Sequence, residues 1–156
     1  IAALIRALIG IVPALIIISP FFEFSIFNLG FTLIILLTNL YLFGICLGLL
    51  VSSGLLKYGP AFENIAWSSL FLLAPIGCVY YPITILPDWL QTVAKFFPLV
   101  YIFEGARSIL IDNILIHSYF LKASIINIFY FVFSIFLFNL SFLSAKKNGN
   151  LVNIGE

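Results

Sequence analysis

The sequence predicts an all-α integral membrane protein with four spanning helices and a re-entrant helical hairpin between the third and fourth. Three observations carry this reading. Of 156 residues, 63% are hydrophobic and 8% charged, whereas a soluble domain needs about 25% charged residues to hydrate its surface. The few charges leave three gaps, 24–56, 64–87 and 123–145, each longer than the roughly 20 apolar residues that cross a bilayer as a helix. The stretch 83–121 is apolar but interrupted by Asp88, Lys95, Glu104, Arg107 and Asp112, and it cannot cross straight when each mid-bilayer charge costs about 2.5–3.5 kcal/mol. This composition excludes a soluble enzyme, a nucleic-acid binder and a disordered tail, and a net charge of +1 without a basic stripe gives no electrostatic reason to seek DNA, RNA or an acidic partner.

The elements follow in order. A first span over about 1–19 contains Pro13 as a kink point and closes at Ser19-Pro20. After a polar turn, a second span over about 27–56 exceeds the length needed to cross, and tilt absorbs the excess. Gly44, Gly48 and Ser52 recur there every fourth residue, a small-residue face that lets another helix approach closely. Gly54 and Lys57-Tyr58-Gly59-Pro60 form a stop and a turn. The third span, about 64–81, is bent by Pro75 and ends at Tyr80-Tyr81-Pro82, with the tyrosines as interfacial anchors.

The hairpin is expected over about 83–112. Pro87 and Asp88 suit the first turn of a helix, because proline needs no N–H partner there and an acid favours the positive end of the helix. Pro98 stops that helix after roughly eleven residues, about 16 Å, too short to cross. A second short helix, about 99–111, places Glu104 and Arg107 three residues apart on one face, within pairing reach. The last span runs over about 122–145, and Lys146 and Lys147 terminate it. Four spans put both ends on one side. Arg6, Lys57, Lys146 and Lys147 against Lys95, Arg107 and Lys122 give a four-to-three vote for a cytoplasmic tail under the positive-inside rule, with the Lys57 turn inside and the hairpin outside.

Chemistry within the chain is limited. There is no G-x-x-x-x-G-K-[ST] run to cradle a nucleotide, so the chain is not expected to hydrolyse ATP. His117 is the single histidine, too few to build a zinc or haem site with unpaired Cys46 and Cys78. The central parts of the spans hold no acid or base, which disfavours a proton-coupled carrier. Asn139-Leu140-Ser141 matches a glycosylation pattern but lies inside the last span. The chain begins at Ile1 and has no methionine, which predicts a piece of a longer protein with its N-terminal part missing.

The stretch 80–110, YYPITILPDWLQTVAKFFPLVYIFEGARSIL, resembles the signature region of the type-2 ATP-binding-cassette (ABC) exporter permeases. The resemblance rests on Tyr80, Tyr81 and Pro82; on Leu86, Pro87, Trp89 and Leu90; and on Pro98, Leu99, Tyr101, Glu104, Gly105 and Arg107, followed by a final span and a short basic tail with Lys146, Lys147 and Gly149. It implies that residues 1–156 are the C-terminal part, spans three to six, of one transmembrane permease domain in the cell membrane. The implied partners are an ABC nucleotide-binding ATPase, a second permease half and the lipid bilayer, with no nucleic acid. No cofactor is expected in this chain, since ATP and Mg²⁺ would be bound by the partner ATPase. Tyr80, Tyr81, Pro82, Pro87, Trp89, Pro98, Glu104 and Arg107 would belong to an outer-gate hairpin, and Lys57 and Glu63 to a secondary cytoplasmic contact. The cargo would be lipid-like, glycan or drug-like, moved by alternating access. A secondary carrier or channel subunit and a purely structural membrane subunit stand as the alternative readings.

Overall fold

The computed structural model describes residues 30–111 and 116–147, with the single positions Ile5, Ile9 and Pro13. The expected first span, the turn before residue 30, Asp112 and the tail after Lys147 lie outside the described residues. The chain divides into two units, Ile1–Ile34 and Ile35–Glu156, and the second holds nearly all of the described structure. Among the described residues the fold is helical without strands.

Helix α1, Gly30–Tyr58, and helix α5, His117–Lys147, are long and apolar enough to cross a membrane. Only 22% and 17% of their most apolar windows are buried, whereas a core helix of a water-soluble fold is mostly covered. Isoleucines and phenylalanines such as Ile125, Ile128, Phe129 and Phe136 point outward, while Asn39, Ser53, Asn127, Ser134 and Ser141 are buried. Apolar outside and polar inside is the arrangement that hydrocarbon solvent favours, because an unpaired polar group facing lipid has nothing to bond.

Between these helices lie α2, Phe62–Ile76, a 3₁₀ turn at Ile83–Ile85, α3, Asp88–Ala94, and α4, Pro98–Leu110. The α1–α2 turn is tight: Gly59 takes φ +74°, and Tyr58 stacks on Phe62 with ring centroids 5.9 Å apart. Helix α2 ends at Ile76, earlier than the expected 64–81. Its end is a Schellman closure, in which the Val79 N–H donates to the Ala74 carbonyl (3.2 Å) and the Cys78 N–H to that of Pro75 (3.1 Å). Cys78 occupies the left-handed position, φ 56°. The start of α3 at Pro87-Asp88 agrees with the sequence reading. Pro98 differs: besides following the end of α3, it is the first residue of α4, where its missing N–H leaves no intrahelical bond unmade.

Helices α1 and α5 run parallel. Asn127 bonds Asn39 and Ser141 bonds Ser53, both across a separation of 88 residues, so the two chains advance together. Cys46 and Ser134, at the same offset, also face each other. On each helix these positions recur every seven residues, the spacing that keeps one helix face turned toward a parallel partner. The Asn127 Nδ2 donates to both the backbone carbonyl and the Oδ1 of Asn39 (3.0 Å each), and the Ser124 hydroxyl donates to the same Oδ1 (3.2 Å). Ser53 donates to the Leu137 carbonyl (3.2 Å) and shares a hydrogen bond with the Ser141 hydroxyl (2.8 Å).

The glycines of the expected small-residue face meet no other helix among the described residues. A Cβ at Gly44 or Gly48 would meet nothing within 4 Å among the described residues, and α1 packs instead through Leu36, Asn39, Phe43, Cys46 and Ser53. The polar side chains decide the orientation, because they lie on the other side of α1 from the glycines and need partners that α5 supplies. Ser52 is half-buried beside this face. Asn127→Ala is expected to lower stability by about 1 kcal/mol, within the range of interhelical hydrogen bonds in membrane proteins. Unfolding of the detergent-solubilised protein by denaturant checks it.

Candidate functional site

The hairpin stretch folds as two short helices around a small core of its own. Cys78, Leu86, Ala94 and Val100 are buried together, with Ile76, Tyr81, Ile83 and Leu90 packed against them. The two helices meet at a turn over Lys95, Phe96 and Phe97, closed by the Phe97 N–H donating to the Ala94 carbonyl (2.9 Å). The Gln91 Nε2 donates to the Leu86 carbonyl (2.8 Å) and ties α3 back to the segment that precedes it.

Helix α4 lies antiparallel along the first half of α5. Phe97 stacks on Tyr130 at 6.4 Å, the Lys122 Nζ lies 5.8 Å from the Tyr101 ring centre, and a Cβ on Gly105 would touch Tyr119 and Phe120 at 3.4 Å. Tyr130 also meets Phe43 edge-on at 5.7 Å. Phe43 and Tyr130 each lie near the middle of their helices, roughly 20 Å from either start at 1.5 Å per residue. The tip of the hairpin therefore meets α5 near its mid-length, at the level where Tyr130 touches Phe43 of α1.

One charged pair holds the hairpin to the end of α2. Glu104 Oε1 accepts from Arg107 Nη1 at 2.8 Å and from the Ile83 N–H at 2.8 Å. The Arg107 Nη2 donates to the Val79 carbonyl at 3.1 Å and to the Cys78 carbonyl. These carbonyls lie just past α2, where the helix dipole is negative and a cation is favoured. The two side chains are only 20% and 15% exposed, so the pair joins α4, the 3₁₀ turn and the α2 terminus with limited water screening. Gly77 completes the joint, its bare Cα facing Leu99 so closely that a Cβ would lie 2.8 Å from Leu99 Cδ1.

The other sequence-predicted residues are placed as follows. Tyr80 and Trp89 are 78% and 69% exposed, with their rings outward. Tyr81 turns inward, and its hydroxyl donates to the Pro75 carbonyl (2.9 Å), so the two neighbouring tyrosines have different tasks. Pro82 and Pro87 are exposed and Pro98 is buried. Lys57 and Glu63 flank the α1–α2 turn, both exposed, and the Lys57 Nζ lies 5.1 Å from the Tyr58 ring centre. His117 opens α5 and is exposed. No cluster of three or more His, Cys, Asp or Glu capable of holding a metal occurs among the described residues.

Sequence reasoning misses the polar ladder. Its signal there is the seven-residue recurrence of Asn39, Cys46 and Ser53 and of Asn127, Ser134 and Ser141, readable only when the two helices are compared. Within it, Asn127 Oδ1 is buried without a partner among the described residues. No protein-family model, curated protein or solved structure matches the chain.

Proposed function

We propose that this chain is the transmembrane permease subunit of an ATP-driven exporter of the type-2 ABC kind, with the hairpin as its outer gate and ATP hydrolysis left to a partner. The observation that carries the reading is the charged, proline-bearing stretch 80–110, folded as two short helices whose turn lies beside the middle of α5, one of two parallel, membrane-length helices. A backbone that enters and turns at that depth is tolerated where protein shields it or a water-filled cavity adjoins it.

Parallel packing of α1 and α5 also bears on topology. Two spanning helices that point the same way require an odd number of crossings between them, and α2 is the apolar helix available for the return. Its 15 residues rise about 22 Å. The hairpin then enters and leaves on the side where α5 begins. With Lys146 and Lys147 ending α5 in the cytoplasm, the hairpin mouth and His117 are outside. In this reading the exposed Lys57 and Glu63 lie at the cytoplasmic turn, available to an ATPase, and the open Gly44–Gly48 face is available to another helix. Alternating access requires the cargo to bind two gate states differently.

Two measurements test the proposal. Single cysteines replacing Lys57 and His117 should react with a membrane-impermeant maleimide from opposite sides, His117→Cys from outside; both native thiols are buried and give little background. Modification of both from one side removes the topology. Co-purification with a candidate ABC ATPase, and stimulation of its ATP hydrolysis in liposomes, should follow. A protein that does neither is not an exporter permease.

A further inference from the structure

The hairpin tip carries a charge that nothing in the fold explains. Lys95 lies at the turn between α3 and α4, two residues before Phe97, which stacks on Tyr130 halfway along α5. Its side chain is exposed, and no carboxylate pairs with it among the described residues. Arg107, the neighbouring cation on the hairpin, is by contrast fully engaged with one carboxylate and two carbonyls. An ammonium at hydrocarbon depth is costly, and where one occurs it faces water, an anion or a transport route.

Lys95 borders a groove of about 330 Å³ formed with Phe96, Ile125, Ile126, Phe129 and Tyr130, at the lower end of the roughly 300–1,000 Å³ typical of small-molecule sites. Phe96, Ile125 and Phe129 are 65–69% exposed, so the groove opens sideways, toward the surface that lipid would cover. An apolar trough with one unpaired cation at its rim complements an amphiphile whose anionic group adjoins a hydrocarbon chain. A neutral apolar ligand would leave the ammonium unsatisfied, and a free anion would leave the trough unfilled.

We propose that the groove between the hairpin tip and α5 binds an anionic lipid, its phosphate or carboxylate on Lys95 and its chain along Ile125, Ile126 and Phe129. This rests on the membrane-spanning reading of α1 and α5 and is independent of whether the chain is an exporter. Lys95 is the specificity-determining residue, since it distinguishes an anionic headgroup from a zwitterionic one, and the apolar wall supplies affinity shared by both.

The test is lipid binding by the whole purified protein in detergent micelles, measured by native mass spectrometry with phosphatidylglycerol, phosphatidylcholine and glycerol 3-phosphate. Wild type should prefer phosphatidylglycerol over phosphatidylcholine by roughly tenfold, the equivalent of one charge-assisted contact. Lys95→Gln should abolish the preference and Lys95→Arg should keep it. Lys122→Gln, which removes a cation at another level of α5, should leave it unchanged, and both Lys95 variants should keep the wild-type unfolding midpoint. An undiminished preference in Lys95→Gln overturns the proposal, as does equal loss in Lys122→Gln or binding of glycerol 3-phosphate as tight as that of the lipid. No ATPase enters this measurement, so the lipid site and the exporter assignment can fail separately.

Discussion

Replacing Arg107 with alanine is expected to lower the stability of the detergent-solubilised protein by about 3 kcal/mol, the scale seen when one member of a shielded ion pair is removed. The loss has three sources. The Glu104 carboxylate, 15% exposed, loses its cation; the Cys78 and Val79 carbonyls lose their donor; and the end of α2 loses the positive charge at its negative pole. Arg107→Lys should recover less than half of the deficit, because one ammonium cannot reproduce the planar fork that reaches a carboxylate and two carbonyls at once. Glu104→Gln is milder, about 1 kcal/mol, since an amide oxygen still accepts from the Ile83 N–H. Thermal midpoints of the four proteins, read by helix signal, decide the matter. An Arg107→Ala midpoint equal to wild type would show that the hairpin is not held by this pair.

Gly77→Ala is expected to cost about 2 kcal/mol by overpacking, despite removing a flexible residue. The backbone at Gly77 is ordinary, φ −73° and ψ 4°, so conformation is not the obstacle. The new Cβ would lie 2.8–2.9 Å from Leu99 and 2.9 Å from the Leu73 carbonyl oxygen, and Leu99 is itself 7% exposed with little room to retreat. Combined with Leu99→Ala, the substitution should cost less than the sum of the two single changes, the signature of residues in direct contact. Gly48→Ala provides the opposite case. With nothing within 4 Å among the described residues, the added methyl meets no wall there and should stabilise α1 by about 0.5–1 kcal/mol through helix propensity alone. A double-mutant cycle on unfolding midpoints, with Gly48→Ala alongside, measures both; additive costs at Gly77 and Leu99 would refute the close-approach argument.

Much of the hairpin is legible in the sequence. Pro87-Asp88 marks a helix start because both residues suit a first turn, and Glu104 and Arg107 at a spacing of three meet on one face of any helix. They do pair, at 2.8 Å. The further bonds of Arg107 reach carbonyls 28 and 29 residues away, and no local spacing encodes them. Gly44, Gly48 and Ser52 show the reverse limit. Their four-residue recurrence is a true property of the helix, but a small face says that a partner can approach, not that one does. The face that packs carries Asn39, Cys46 and Ser53, whose meaning depends on Asn127, Ser134 and Ser141 on a helix 88 residues later.

By itself the sequence determined the solvent of this protein and the place of its breaks. Transfer of an apolar segment to lipid is a sum over that segment's own residues, and 63% hydrophobic against 8% charged residues makes both long helices apolar enough to cross a bilayer. Helix ends follow from nearby prolines, glycines and charges for the same reason. Only the tertiary structure decided that α1 and α5 run parallel, that the hairpin tip meets α5 near its mid-length, and that Lys95 stands unpaired on an apolar groove. Those facts depend on which distant polar groups satisfy one another once water is excluded, and that choice is made between segments rather than within them.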